Sequence, residues 1–96
     1  MKYYYDGKLV RTSKRDTYKY GVLLPSGELW HALSSKRESL QRQINSEIKF
    51  FERQAAYFEK QLASEKSDYN KECLEEAKRG VNQYKQAKIV ELEVQE

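Results

Sequence analysis

Between Glu28 and Arg79 the chain contains no glycine and no proline. Within that stretch, residues 35–62 place Leu40, Ile44, Ile48, Phe51, Ala55, Phe58 and Leu62 at intervals of three or four. Such spacing keeps the apolar side chains on one side of a helix and predicts a long amphipathic helix with a single buried stripe. The stripe needs a covering surface, and the rest of the chain must supply it. Ninety-six residues allow one domain. At that size only about 60–65% of the unfolded surface is buried, so a deep enclosed active site is not expected.

The start of this helix is marked by Ser35 and Glu38, a capping box in which serine and glutamate satisfy backbone amides reciprocally. Its end leaves two outcomes open. The heptad spacing lapses at Glu65, and Ser67-Asp68 can cap a new helix. A tight turn within 64–70 gives a second helix that folds back, whereas an uninterrupted helix of about 50 residues demands a coiled-coil partner. In either case Tyr69, Cys73, Leu74, Ala77, Val81 and Tyr84 share a face. Gly80 lies in that face too, where it permits close approach or marks a weak point.

The N-terminal third has the pattern of strands. Asp6-Gly7 is the dipeptide preferred in two-residue type I′ loops, and its flanks pair with Tyr4 opposite Leu9 and Tyr3 opposite Val10. Residues 17–24 alternate as a third strand, Pro25-Ser26-Gly27 turns, and residues 28–33 form a fourth. At the other end Val90, Leu92 and Val94 alternate as a strand. The expected fold is α+β in a single domain, 1–96. It comprises an N-terminal antiparallel β-meander of three or four strands (1–34), a long amphipathic helix (35–63) and a second helix (68–87). The helices form a hairpin, and a C-terminal strand (88–95) returns to the sheet.

Chemistry is sparse. His31 has no second histidine and only Cys73 to join it, too few ligands for a zinc site. Cys73 falls on the helix face expected to be core, where thiols are inert. Phosphate-cradling glycine loops and nucleophile elbows do not occur, and Glu75 and Glu76 diverge by about 100° on a helix. An enzyme is therefore not expected, and neither a metal nor a cofactor is expected. The 18 Lys/Arg and 15 Asp/Glu are interspersed and leave a net charge of +3, well short of a polybasic nucleic-acid footprint. Nucleic acid is accordingly not the expected partner, although Arg42, Lys49, Arg53 and Lys60 form a basic line on the long helix. The single cysteine excludes an intrachain disulfide, and no apolar run approaches about 18 residues, so a soluble, cytoplasmic protein without membrane contact is expected.

Two groups of residues remain as binding candidates. Arg11, Thr12, Ser13, Lys14 and Arg15 make a basic link after the hairpin, able to offer charged forks and hydroxyls to phosphate oxygens or simply to be a solvated turn. Phe50 and Tyr57 lie off the apolar stripe beside the basic line, with Arg53 between them. They suit a planar anion or a protein contact, and equally packing against the sheet or a second subunit. Arg79 is the further cationic candidate.

The opening Lys2-Tyr3-Tyr4-Tyr5-Asp6-Gly7-Lys8-Leu9-Val10-Arg11-Thr12-Ser13-Lys14, then Tyr18-Lys19-Tyr20, a Ser34-Ser35-capped helix and the closing Ile89-Val90-Glu91-Leu92-Glu93, resembles small phage-encoded counter-defence proteins. Among these it resembles the first-described Thoeris anti-defence family. The similarity covers the two ends, about a third of the chain. It implies a non-catalytic sponge that binds a cyclic ADP-ribose isomer or a cyclic oligonucleotide in the cytoplasm of an infected bacterial host, as a homo-oligomer whose pocket is completed between subunits. Transfer residue by residue extends only to the N-terminal motif at 11–14. In the shorter helical region Phe50, Arg53, Tyr57 and Arg79 stand on their chemistry alone. The alternative reading is a protein-binding inhibitor of a bacterial defence complex, anti-CRISPR-like, acting through the helix faces.

Overall fold

Asp6 and Gly7 adopt φ of +50° and +77°, the paired positive angles a type I′ loop requires, and they join strand β1 (Lys2–Tyr5) to β2 (Lys8–Thr12). These strands belong to a computed structural model that describes residues 1–14 and 17–95 of the chain. The remaining elements are β3 (Tyr20–Leu23), β4 (Leu29–Ser34), α1 (Arg37–Ser64), α2 (Asp68–Lys85), β5 (Lys88–Glu91) and β6 (Glu93–Gln95). The α+β architecture of strands, helix pair and returning C-terminal strand is therefore present. Two compact units divide it: Met1–Arg42 with Ala87–Glu96, and Gln43–Gln86.

All six strands lie in the first unit, as two antiparallel three-stranded sheets ordered β2-β1-β6 and β4-β3-β5. The four N-terminal strands therefore form two hairpins rather than one continuous sheet. Between them, Tyr18 N–H donates to the Tyr3 hydroxyl at 3.2 Å, and Lys19 N–H to the Ser34 carbonyl at 3.0 Å. Each hairpin then gains its third strand from the C-terminus. The alternating 89–94 run is interrupted at Leu92, whose N–H donates to the Lys19 carbonyl at 2.8 Å instead of to a neighbouring strand. Leu92 turns its side chain onto Gly21, where the leucine Cδ2 lies 3.4 Å from the position a β-carbon would occupy.

Tyr4 faces Leu9 as the alternation requires, but Tyr3 faces Arg11 and not Val10. Val10 is the extra residue of a β-bulge, which shifts the register by one position and brings Arg11 opposite Tyr3. Tyr3 is fully buried, with Val22 and Leu40, and its ring meets that of Tyr18 edge-on at 5.2 Å. The third strand is shorter than the alternation suggests, starting at Tyr20, and the fourth extends to Ser34. That extension displaces the expected capping box. Helix α1 begins at Arg37, and the hydroxyl that meets an amide there belongs to Ser34, accepting from Lys36 N–H at 3.1 Å.

The second unit is a helical hairpin. α1 ends at Ser64, and α2 starts after a three-residue connection, 65–67. Of the two outcomes left open by the sequence, the turn is the one formed. Ser67 is the N-cap of α2, its hydroxyl accepting from Asn70 N–H at 3.1 Å. Asn70 is itself buried, and its Nδ2 donates to the Glu65 carbonyl at 3.2 Å, tying the connection to the helix it precedes. Phe51 stacks on Tyr84 at 5.9 Å and Phe58 meets Tyr69 at 6.5 Å, so early α1 faces late α2 and the helices run antiparallel. Gly80 permits close approach: the Phe51 ring occupies the space its side chain would fill. Neither helix is long and apolar enough to cross a membrane.

Candidate ligand-binding surface

On an α-helix, positions three and four apart are surface neighbours. Phe50, Arg53 and Tyr57 are therefore contiguous on α1, with the arginine between the two rings. All three are exposed, Phe50 by 52% and Tyr57 by 55%, far more than two aromatic side chains need if they serve the core. Each leans on a half-buried ring beside it, Phe50 on Phe51 at 5.2 Å and Tyr57 on Phe58 at 5.0 Å, both edge-on. Even with these contacts about half of each outer residue stays open to solvent.

Tyr69 extends this surface onto α2. It shares helical phase with the core residues Cys73 and Ala77 and was expected with them, yet it is 69% exposed. It stands about 80° from Ala77 around α2, on the same flank of the hairpin as Phe50. A hydrogen bond with the Cys73 thiol raises the pKa of its hydroxyl above the ordinary tyrosine value, with a smaller contribution from Tyr57. Below the rings is a shallow groove of about 260 Å³, lined by Phe51, Gln54, Phe58, Cys73, Glu76 and Phe50 among others. Enclosed small-molecule sites span roughly 300–1,000 Å³, so a ligand here lies on a surface.

Arg79 is exposed but is not on this face. Two residues beyond Ala77, which is buried, it points about 160° away around α2. Arg42, Lys49, Arg53 and Lys60 are all exposed along the outer side of α1, as the projection predicts.

The basic link belongs to the first unit. Arg11 has a structural role: Nη2 donates to the His31 carbonyl at 2.6 Å and the guanidinium lies over the Tyr18 ring at 5.5 Å, joining β2 to β4 and to the link. Ser13 exchanges backbone bonds with Met1, its N–H donating to the Met1 carbonyl at 3.0 Å and its carbonyl accepting from the Met1 ammonium at 2.8 Å. Thr12 and Lys14 are exposed, and Arg15 lies outside the described residues. The link and the Phe50 surface thus lie in different units. His31 is an exposed residue of β4 with its ring edge-on to Trp30 at 4.8 Å, and Cys73 is in the other unit, half-buried. Among the described residues no group of three His, Cys, Asp or Glu side chains is arranged to hold a metal ion.

No protein-family model, no curated protein and no solved structure matches the chain.

Proposed function

We propose that the protein is a non-catalytic binding protein that sequesters a cyclic nucleotide immune signal, a cyclic ADP-ribose isomer or a small cyclic oligonucleotide, in the cytoplasm of an infected bacterial cell. The observation that carries this reading is the solvent-open Phe50–Arg53–Tyr57 surface on α1. Open ring faces stack on a base, and a guanidinium between them meets a phosphate with paired donors. Sequestration asks for no general base, nucleophile or metal. The resemblance of the two chain ends to the Thoeris anti-defence family supports the choice of ligand class.

Calorimetric titration and thermal shift with cyclic ADP-ribose isomers and small cyclic oligonucleotides test it. A bound ligand at 100 times its dissociation constant stabilises the fold by about 2.7 kcal/mol. Phe50→Ala is expected to weaken binding by about 1–3 kcal/mol, the range for one stacked base, and Arg53→Glu to abolish it. Heat and melting temperature that stay unchanged with every ligand overturn the proposal.

A second reading is favoured by one observation. Phe50, Tyr57 and Tyr69 together make an aromatic surface that crosses from one helix to the other, wider than a single base requires. Aromatic clusters of this kind are enriched at protein interfaces. Inhibition of a bacterial defence complex through this face is the corresponding function, and capture of a defined host protein lost in Phe50→Ala and Tyr69→Ala, with inert nucleotide titrations, distinguishes it.

A further inference from the structure

The opposite flank of the helical hairpin has a different chemistry. Seen along α1, Glu52 and Glu59 lie about 80–100° from Phe51 on the side away from Phe50. Along α2, Lys71 and Lys78 lie about 100–120° from Ala77 on the same flank. All four are exposed. Between the acidic and basic edges runs a floor of small and branched apolar residues that forms two shallow hollows. One, of about 420 Å³, sets Ala55, Ala56 and Val81 among Glu52, Glu59 and Lys78, and the other, of about 560 Å³, sets Leu62 and Leu74 among Lys71, Lys78 and the acids Asp68 and Glu75. Among the described residues the ion pair formed is Arg37–Glu91, so the acids and lysines of this flank are not bonded to one another.

The two edges match in spacing as well as in sign. Glu52 and Glu59 are one heptad apart, as are Lys71 and Lys78, an interval of about 10.5 Å on each helix. A covering partner must offer a basic edge to α1 and an acidic edge to α2, at that interval and with helices antiparallel to each. A second copy of this hairpin offers all of these. Rotated about a two-fold axis parallel to the helices, it lays its α2 antiparallel over α1, lysines against glutamates. Rotation about the perpendicular axis instead sets α1 on α1 and like charge on like.

We propose that this flank is a homodimer interface. The two hairpins form an antiparallel four-helix bundle in which Glu52 and Glu59 of each copy face Lys78 and Lys71 of the other across a floor of alanine, leucine and valine. The assignment follows the rule that flanking charges choose partner and orientation when helices bundle. It is independent of the ligand reading, because Phe50 and Tyr57 lie on the other flank and stay uncovered.

Mass by sedimentation velocity over a concentration series tests it with four samples: wild type, the pair Glu52→Lys with Glu59→Lys, the pair Lys71→Glu with Lys78→Glu, and a mixture of the two variants. Wild type is expected at about twice the chain mass of 11.4 kDa. Each variant alone is expected to dimerise at least tenfold more weakly, with helical circular dichroism retained, and the mixture to recover the dimer. Where a reversal variant fails to fold, the salt dependence of the wild-type dimer replaces it, since exposed charge pairs are screened between about 0.05 and 0.5 M salt. A wild type that stays monomeric at every soluble concentration overturns the proposal, as does a dimer indifferent to both reversals or to salt. Ligand titration of the monomeric variants reports separately on the nucleotide reading.

Discussion

The ring of Phe51 lies against the α-carbon of Gly80, so closely that a β-carbon there would stand 2.6 Å from the ring's Cγ and Cδ1. Two effects oppose each other when alanine is placed at this position. Helix propensity favours alanine over glycine by about 1 kcal/mol, while overpacking costs about 1–3 kcal/mol. The ring is pinned between Gly80 and Tyr84 near its attachment to the backbone, so it cannot swing aside cheaply and the clash dominates. Gly80→Ala is expected to lower stability by about 1 kcal/mol, a fall in Tm of about 4–8 °C by calorimetry. Combined with Phe51→Leu, which clears the space, the same substitution is expected to stabilise by up to about 1 kcal/mol relative to Phe51→Leu alone, because only the helix propensity remains.

Gly7 makes the opposite case. Nothing lies within 4 Å of a β-carbon at Gly7, yet its φ is +77°. Gly7→Ala therefore loses about 1–2 kcal/mol through backbone strain alone. Asparagine tolerates this conformation, so Gly7→Asn is expected to retain most of the stability in a urea titration, whereas at Gly80 asparagine does worse than alanine.

The connection between the helices depends on two side chains. Ser67→Ala removes an N-cap and is expected to cost about 1 kcal/mol. Asn70→Ala leaves the Glu65 carbonyl without its side-chain donor and opens a gap at a buried position, and is expected to cost about 1–3 kcal/mol. Hydrogen exchange at the amides of residues 65–71 is the local readout. Acceleration there in both variants, stronger in Asn70→Ala, is the expected pattern.

Tyr84 supplies a pH dependence. Burial and the nearby Glu47 carboxylate raise its pKa above the ordinary value of about 10. The folded state then holds the phenolic proton more tightly than the unfolded state. The resulting stability is complete below pH 10 and declines as pH rises through the folded-state pKa. Tyr84→Phe is expected to flatten that alkaline decline in melts recorded from pH 9 to about 11, and an unchanged slope counts against the assignment.

Much of this organisation is written in local pattern. The Asp6-Gly7 loop, the α1 stripe and Ser67 as the cap of α2 depend on residue type and short-range periodicity, which a sequence displays directly. What it does not display is non-local. The bulge at Val10 answers to Arg11, which bonds the His31 carbonyl twenty residues away, and the break at Leu92 answers to the Lys19 carbonyl. At the surface, the exposure of Phe50 and Tyr57 follows from their phase on the helix. That of Tyr69 follows from its offset of about 80° from Ala77, and the structural use of Arg11 follows from tertiary contact.

The division of the C-terminal segment at Leu92 bears on the order in which the molecule forms. Neither sheet has its third strand until residues 88–95 arrive, for Lys2 pairs with Gln95 and Tyr20 with Glu91, closures spanning most of the chain. Loops of that length close slowly, whereas the helical hairpin needs only neighbours in sequence. During synthesis the hairpin can therefore assemble while two incomplete β-ribbons wait with open edges. Residues 88–95 act as a latch, and a chain cut before Lys88 would hold formed helices and unfinished sheets.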